Sequence, residues 1–193
     1  MIREIKQLFG NRVALQLVEE NYPGLIVPAS TNQRVYVLSK VIAKGDQATD
    51  GIKVGDILFW QTNGMIEKLN RFDFNGVATF ILHTGDMIAR LKNRTITRDQ
   101  FQVIGDWCLL KREIIQPKLI VIPDEVADAN QETTVRWLLE DKGETVDTWE
   151  KAPARDLPIG FEVIVDRSKA NPIKLGEANF FYIQKNYVVG TVG

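Results

Sequence analysis

Residues 7–28 read "QLFGNRVALQLVEENYPGLIVP" and residues 102–123 read "QVIGDWCLLKREIIQPKLIVIP". Gln, an apolar pair, Gly and then Asn or Asp align at Gln7/Gln102, Gly10/Gly105 and Asn11/Asp106, an offset of 95, and both stretches close on an aliphatic run and a proline. Downstream, "NQRVYVLSKVIAKGD" (32–46) lies on "NQETTVRWLLEDKGE" (130–144) at an offset of 98, and "VGDILFW" (54–60) on "IGFEVIV" (159–165) at 105. "IEKL" (66–69) then lies on "PIKL" (172–175) at 106, and "FILHTGDMIARL" (80–91) on "FYIQKNYVVGTV" (181–192) at 101. Five blocks in one order with drifting offsets are the mark of a duplicated unit whose loops have gained and lost residues.

The blocks read as strands. "RVALQLVE", "RVYVLSKVIAKG" and "GDILFW" are short, β-branched or aromatic, and bounded by Gly, Pro, Asn and Asp. No window of a dozen residues sustains a 3.6-residue period between caps. The expectation is an all-β chain of two modules, 1–94 and 95–193, with the boundary near the polar stretch "KNRTITRD" around Asn93–Thr97. A module of this size suits a small barrel. No Gly/Ser-rich linker divides the two, so they should pack side by side.

The totals exclude several functions. With 24 Lys and Arg against 25 Asp and Glu, the net charge of −1 offers nothing to nucleic acid or a membrane surface. The start "MIREIKQLFG" has no signal-peptide core, which points to a cytoplasmic or virion location. His83 is the single histidine and Cys108 the single cysteine, so no multi-histidine metal site and no internal disulfide can form. No G-x-S-x-G, G-x-G-x-x-G or P-loop pattern occurs. Carboxylate pairs such as Glu19/Glu20 and Glu140/Asp141 suit solvated faces. The expectation is a non-enzyme with no catalytic residue, cofactor or metal.

"NRVALQLVEENYPGLIVP", "VIAKGD", "IKVGDILFW" and "FILHTGDMIARL" together resemble the GroES co-chaperonin family, over roughly residues 10–92 and, through the repeat, over 97–193. The resemblance implies two tandem GroES-like irregular β-barrels. It also implies ring-forming subunits and an apolar tripeptide on a mobile loop, here Leu25, Ile26 and Val27, that docks on a chaperonin. Only Glu19–Pro23 separate the first strand from Gly24, a reach of about 17 Å at 3.3 Å per residue. Tyr22-Pro23 stiffens this connection. Leu25–Val27 and Ile120–Ile122 therefore read better as buried strand starts than as displayed loops. The roof hairpin is shortened too, at "AKGDQATDGIKVGD".

These readings converge on a structural protein that docks on a larger symmetric assembly, for instance a decoration or cement protein on a phage capsid shell, and that could itself be a homo-oligomer. The alternative is a co-chaperonin capping a chaperonin ring through Leu25–Val27. Phe72 and Phe74 in "NRFDFNG", read as an insertion of the first unit, and Trp149 in the acidic loop "EDKGETVDTWEKAPARD" are the expected partner anchors, because aromatics with a charged rim suit protein interfaces. Trp60, Trp107 and Cys108 are expected in the core, and His83 at a strand end.

Overall fold

The structure is a computed structural model and describes residue 5 and residues 7–18, 35–48, 51–62, 71–92, 96–115, 134–144 and 157–192. The fold is all-β. Its strands are β1 (Arg12–Leu17), β2 (Val35–Lys44), β3 (Ile57–Thr62), β4 (Arg71–Phe74), β5 (Val77–His83), β6 (Met87–Leu91), β7 (Phe101–Val103), β8 (Trp107–Ile115), β9 (Thr134–Lys142), β10 (Val163–Val165), β11 (Asn171–Leu175), β12 (Ala178–Gln184) and β13 (Val188–Thr191). Short 3-10 turns at Thr84–Asp86, Arg167–Lys169 and Lys185–Tyr187 join some of them.

One sheet has seven strands in the order β4-β5-β1-β2-β3-β6-β7; a second runs β11-β12-β8-β9, and β10 pairs with β13. A bridge between Leu138 and Glu162 ties β9 to the segment that enters β10. All strand pairs are antiparallel.

The pairing of the second half repeats that of the first in detail. Between β1 and β2 the register shifts at Ala14/Leu15, and between β8 and β9 it shifts at Leu109/Leu110, the same offset of 95 that aligns the sequences. The β3–β6 pair shifts at Phe59/Trp60 and the β10–β13 pair at Ile164/Val165. Thr84 N–H donates to the Asn11 carbonyl at 2.8 Å, and Lys185 N–H to the Asp106 carbonyl at 2.8 Å. A bulge is a specific local feature of a strand pair, so its recurrence at one offset marks the same unit built twice.

One alignment block needs correction. In β4 Arg71 opposes Phe80, and in β11 Pro172 opposes Phe181, so 71–74 is the counterpart of 172–175. Residues 66–69 lie outside the described residues. "RFDF" was hidden because it shares no letters with "PIKL"; hairpin geometry sets the equivalence instead. Asn75 and Gly76 both have positive φ (56° and 79°), as a two-residue type I′ hairpin turn requires, and Gly176 turns the β11–β12 hairpin at φ 64°. Phe72 and Phe74 therefore stand on a repeated strand, and the expectation of an insertion at these two residues is overturned.

Among the described residues, three apolar clusters fill the interior. Val13, Leu15, Val41, Leu58, Trp60, Phe80, Leu82 and Met87 form the first half's core, with Ile104 of the second half packed into it. Cys108, Leu110, Leu139, Val163, Val165, Ile183 and Val188, at equivalent strand positions, form the second's. The indole changes strands between them: Trp60 on β3 donates its ring N–H to Ser39 on β2 at 2.9 Å, whereas Trp137 on β9 occupies the Ser39 position and Val165 the Trp60 position. Exchanging large and small residues across one contact keeps the filled volume.

The third cluster belongs to both halves. Ile57, Phe59, Ile88 and Leu91 from β3 and β6 pack on Phe101, Val103, Leu109, Ile173, Leu175, Phe180 and Tyr182. Phe59 meets Phe101 and Tyr182 edge-on at centroid distances of 5.5 and 6.1 Å. Residues 57–60 thus alternate between two cores, which is why "ILFW" is apolar without a break.

Candidate functional site

Among the described residues the reactive side chains are either buried in the core or exposed in surface turns and strand ends. Cys108 is buried, and desolvation pushes its thiol up to about 12 against the opposing pull of Lys185, so no thiolate nucleophile forms near neutral pH. His83 ends β5 exposed to solvent. Asp99 and Asp166 have lowered carboxyl pKa values because Thr97 and Gln100 hydrogen-bond the first, and Ser168 the second, through side chain and backbone. Both are surface turn groups. No group of three or more His, Cys, Asp and Glu among the described residues could hold a metal ion. No described helix is long and apolar enough to cross a membrane.

A cleft of about 360 Å³ lies where the halves meet, lined by Gly51, Arg90, Gln102, Ile104, Asp141 and Lys142 among others. Its cations are already engaged. Arg90 donates to the Gly51 carbonyl and to Gln102 Oε1 (2.6 Å) and lies 3.6 Å from Asp56. Lys142 Nζ donates to the Leu157 carbonyl at 2.7 Å. Nearby Arg98 donates to the Phe101 and Glu140 carbonyls and lies 3.7 Å from Asp141. Arg90 thus ties the first half to Gln102 of the second, and Arg98 ties β7 to β9 within the second half, so the cleft reads as a polar seam.

Lys185 is buried, an unusual place for an ammonium. Its Nζ donates to the carbonyls of Gly105 and Gly143, which holds the turn before β8 against the end of β9. Gly143 has to be glycine here, since a Cβ would run into the Ile104 and Gly105 backbone.

What the surface does carry is apolar area. Phe9, Leu17, Val54, Val77, Ile114, Ile159, Phe161, Ile164, Val189 and Val192 are exposed. Five of them (Ile159, Phe161, Ile164, Val189 and Val192) sit on or beside the β10–β13 pair. Phe72 and Phe74 are half-buried on β4 and contact each other edge-on, centroids 6.2 Å apart. Trp60 and Cys108 are buried as expected, and Trp107 is partly buried with its indole N–H on the Gly85 carbonyl at 3.3 Å. Trp149, Leu25, Ile26, Val27 and Ile120–Ile122 lie outside the described residues.

Sequence reasoning missed the β10–β13 face, although its signal was present. In "EVIVD" every central residue is apolar, so one face of that strand must meet something other than its own core.

The chain matches no protein-family model and no curated protein. Function is therefore read from its own geometry.

Proposed function

We propose that this chain is a non-catalytic structural protein, built as two tandem GroES-like irregular barrels, that docks on and stabilises a larger symmetric assembly such as a phage capsid shell. The repeated bulges and turns support the tandem-barrel reading. One observation carries the functional reading: the described residues gather large apolar side chains on open strands and gather no chemistry. An exposed apolar patch of this kind marks a protein contact. Phe72 and Phe74, with Trp149, are the proposed anchors. The cations of the seam are occupied, so binding runs through apolar area rather than charge.

Mass spectrometry of the native particle with which the protein copurifies tests this. A stoichiometric shell protein, with occupancy lost in Phe72→Ala/Phe74→Ala and in Trp149→Ala, is the expected result. A chaperonin ring captured through Leu25–Val27, or full occupancy in all variants, would contradict it.

A further inference from the structure

The indole that changed strands did not carry its acceptor with it. Trp60 donates its ring N–H to Ser39 at 2.9 Å, whereas the buried ring N–H of Trp137 has no acceptor among the described residues. Trp137 as a whole is only 6 % exposed. A buried donor left unpaired costs stability, and such groups are rare in native proteins.

The residue opposite adds a second unpaired donor. In the first half Leu17 opposes Ser39, and at the same ladder position in the second half Arg112 opposes Trp137. An aliphatic side chain and a hydroxyl have thus given way to a guanidinium and an indole. Arg112 is exposed, with its Cζ 5.4 Å from the centre of the Phe181 ring, and the Trp137 ring meets Phe181 edge-on at 5.0 Å. No carboxylate among the described residues pairs with Arg112. Its strand neighbours Lys111 and Glu113 alternate to the other face and pair with each other at 3.3 Å, and Arg136, beside Trp137, takes Glu162 at 2.7 Å. One residue pair further along, the Arg112 face turns aliphatic: Ile114, 55 % exposed, opposes Val135, which packs on the second half's core.

We propose that Arg112 and Trp137 form a binding site for a carboxylate carried beside an aliphatic group, the chemistry of a peptide that ends in leucine or valine. The site offers donors alone, and an ionised carboxylate is the acceptor-only group that matches them. The guanidinium supplies the charge and a fork of N–H groups, and hydrogen bonds of this kind are about twice as strong as neutral ones. The exposed Arg112 side chain shifts off the Phe181 ring to admit a carboxylate oxygen to the indole N–H. Ile114 and Val135 then take the aliphatic group. The first half has no counterpart, because Leu17 carries no donor and the Ser39 hydroxyl is engaged by Trp60.

Nuclear magnetic resonance of the nitrogen-labelled chain tests this. Each tryptophan gives one indole N–H signal, and that of Trp137 is assigned by its contact with the Phe181 ring. Titration with N-acetylleucine should move this signal downfield and saturably while the Trp60 signal stays in place. N-acetylleucinamide, the same body without the charge, should leave both signals unmoved over the same range. In Arg112→Gln the dissociation constant for N-acetylleucine should rise about tenfold, as the loss of a charged hydrogen bond implies. A Trp137 signal indifferent to N-acetylleucine, an equal response to the amide, or an unchanged affinity in Arg112→Gln would overturn the proposal. The titration uses the purified chain alone, whereas docking on a larger assembly is read from the native particle, so either claim can fail without the other.

Discussion

Replacing Phe59 by Ala should cost about 3–5 kcal/mol, the range for truncating a buried aromatic. The ring is fully buried in the core shared by both halves, and two edge-to-face partners, Phe101 and Tyr182, come from the second half. Such pairs add about 0.5–1.5 kcal/mol each beyond buried area, which favours the upper end. A domain is stable by only about 5–15 kcal/mol, so the loss is a large share of the whole. Ile164→Ala, at the equivalent strand position, is the control. In a single chain that side chain is half exposed, and its truncation should cost no more than about 1 kcal/mol. Urea unfolding followed by tryptophan fluorescence, at a dilution where the chain scatters as a monomer, measures both. Because the cluster is shared, the Phe59 variant should shift one transition common to both halves. A loss below about 1 kcal/mol, or two transitions of which only one moves, would refute the shared-core reasoning.

Other perturbations separate packing from backbone effects. Gly143→Ala places a methyl group against the Ile104 and Gly105 backbone, which cannot swing aside, and should cost at least about 3 kcal/mol by thermal unfolding. Gly105→Ala faces open space at φ 59° and should cost only the left-handed penalty of about 1–2 kcal/mol. Ser39→Ala leaves the buried Trp60 indole N–H without its 2.9 Å acceptor and should cost about 1–3 kcal/mol, seen in the same melts. Cys108 should resist iodoacetamide in the native protein and react once unfolded. Burial raises its pKa from 9.0 to about 12, so the unfolded chain releases the thiol proton first. The sign follows: the stability contributed by the buried thiol is full below pH 9 and falls by about 1.4 kcal/mol per pH unit from there to about pH 12.

The all-β fold was legible because β-branched runs between Gly, Pro and Asn leave few alternatives to a strand. The block offset of 95 was legible too, and it matches the ladder, where the register shifts at Ala14/Leu15 and Leu109/Leu110 fall at equivalent positions; the shifts themselves were not legible. The β4–β11 equivalence was not legible. A hairpin strand on the surface of its own half needs only alternation, so "RFDF" and "PIKL" diverged beyond recognition while keeping Phe72/Ile173 and Phe74/Leu175 on one face. Of the candidate site, sequence reading picked out Phe72 and Phe74 by composition. It could not reveal that their counterparts are buried by another unit, because that comparison exists only once strand neighbours are known. The outward faces of Ile164, Val189 and Val192 became visible for the same reason.

Amide hydrogen exchange on the purified chain bears most directly on the claim that one strand unit is built twice. The account predicts matching protection at equivalent amides, Thr84 with Lys185 and Gly45 with Gly143, whose backbone hydrogen bonds recur in both halves. Fast exchange at Lys185 and Gly143 while Thr84 and Gly45 stay protected would contradict it.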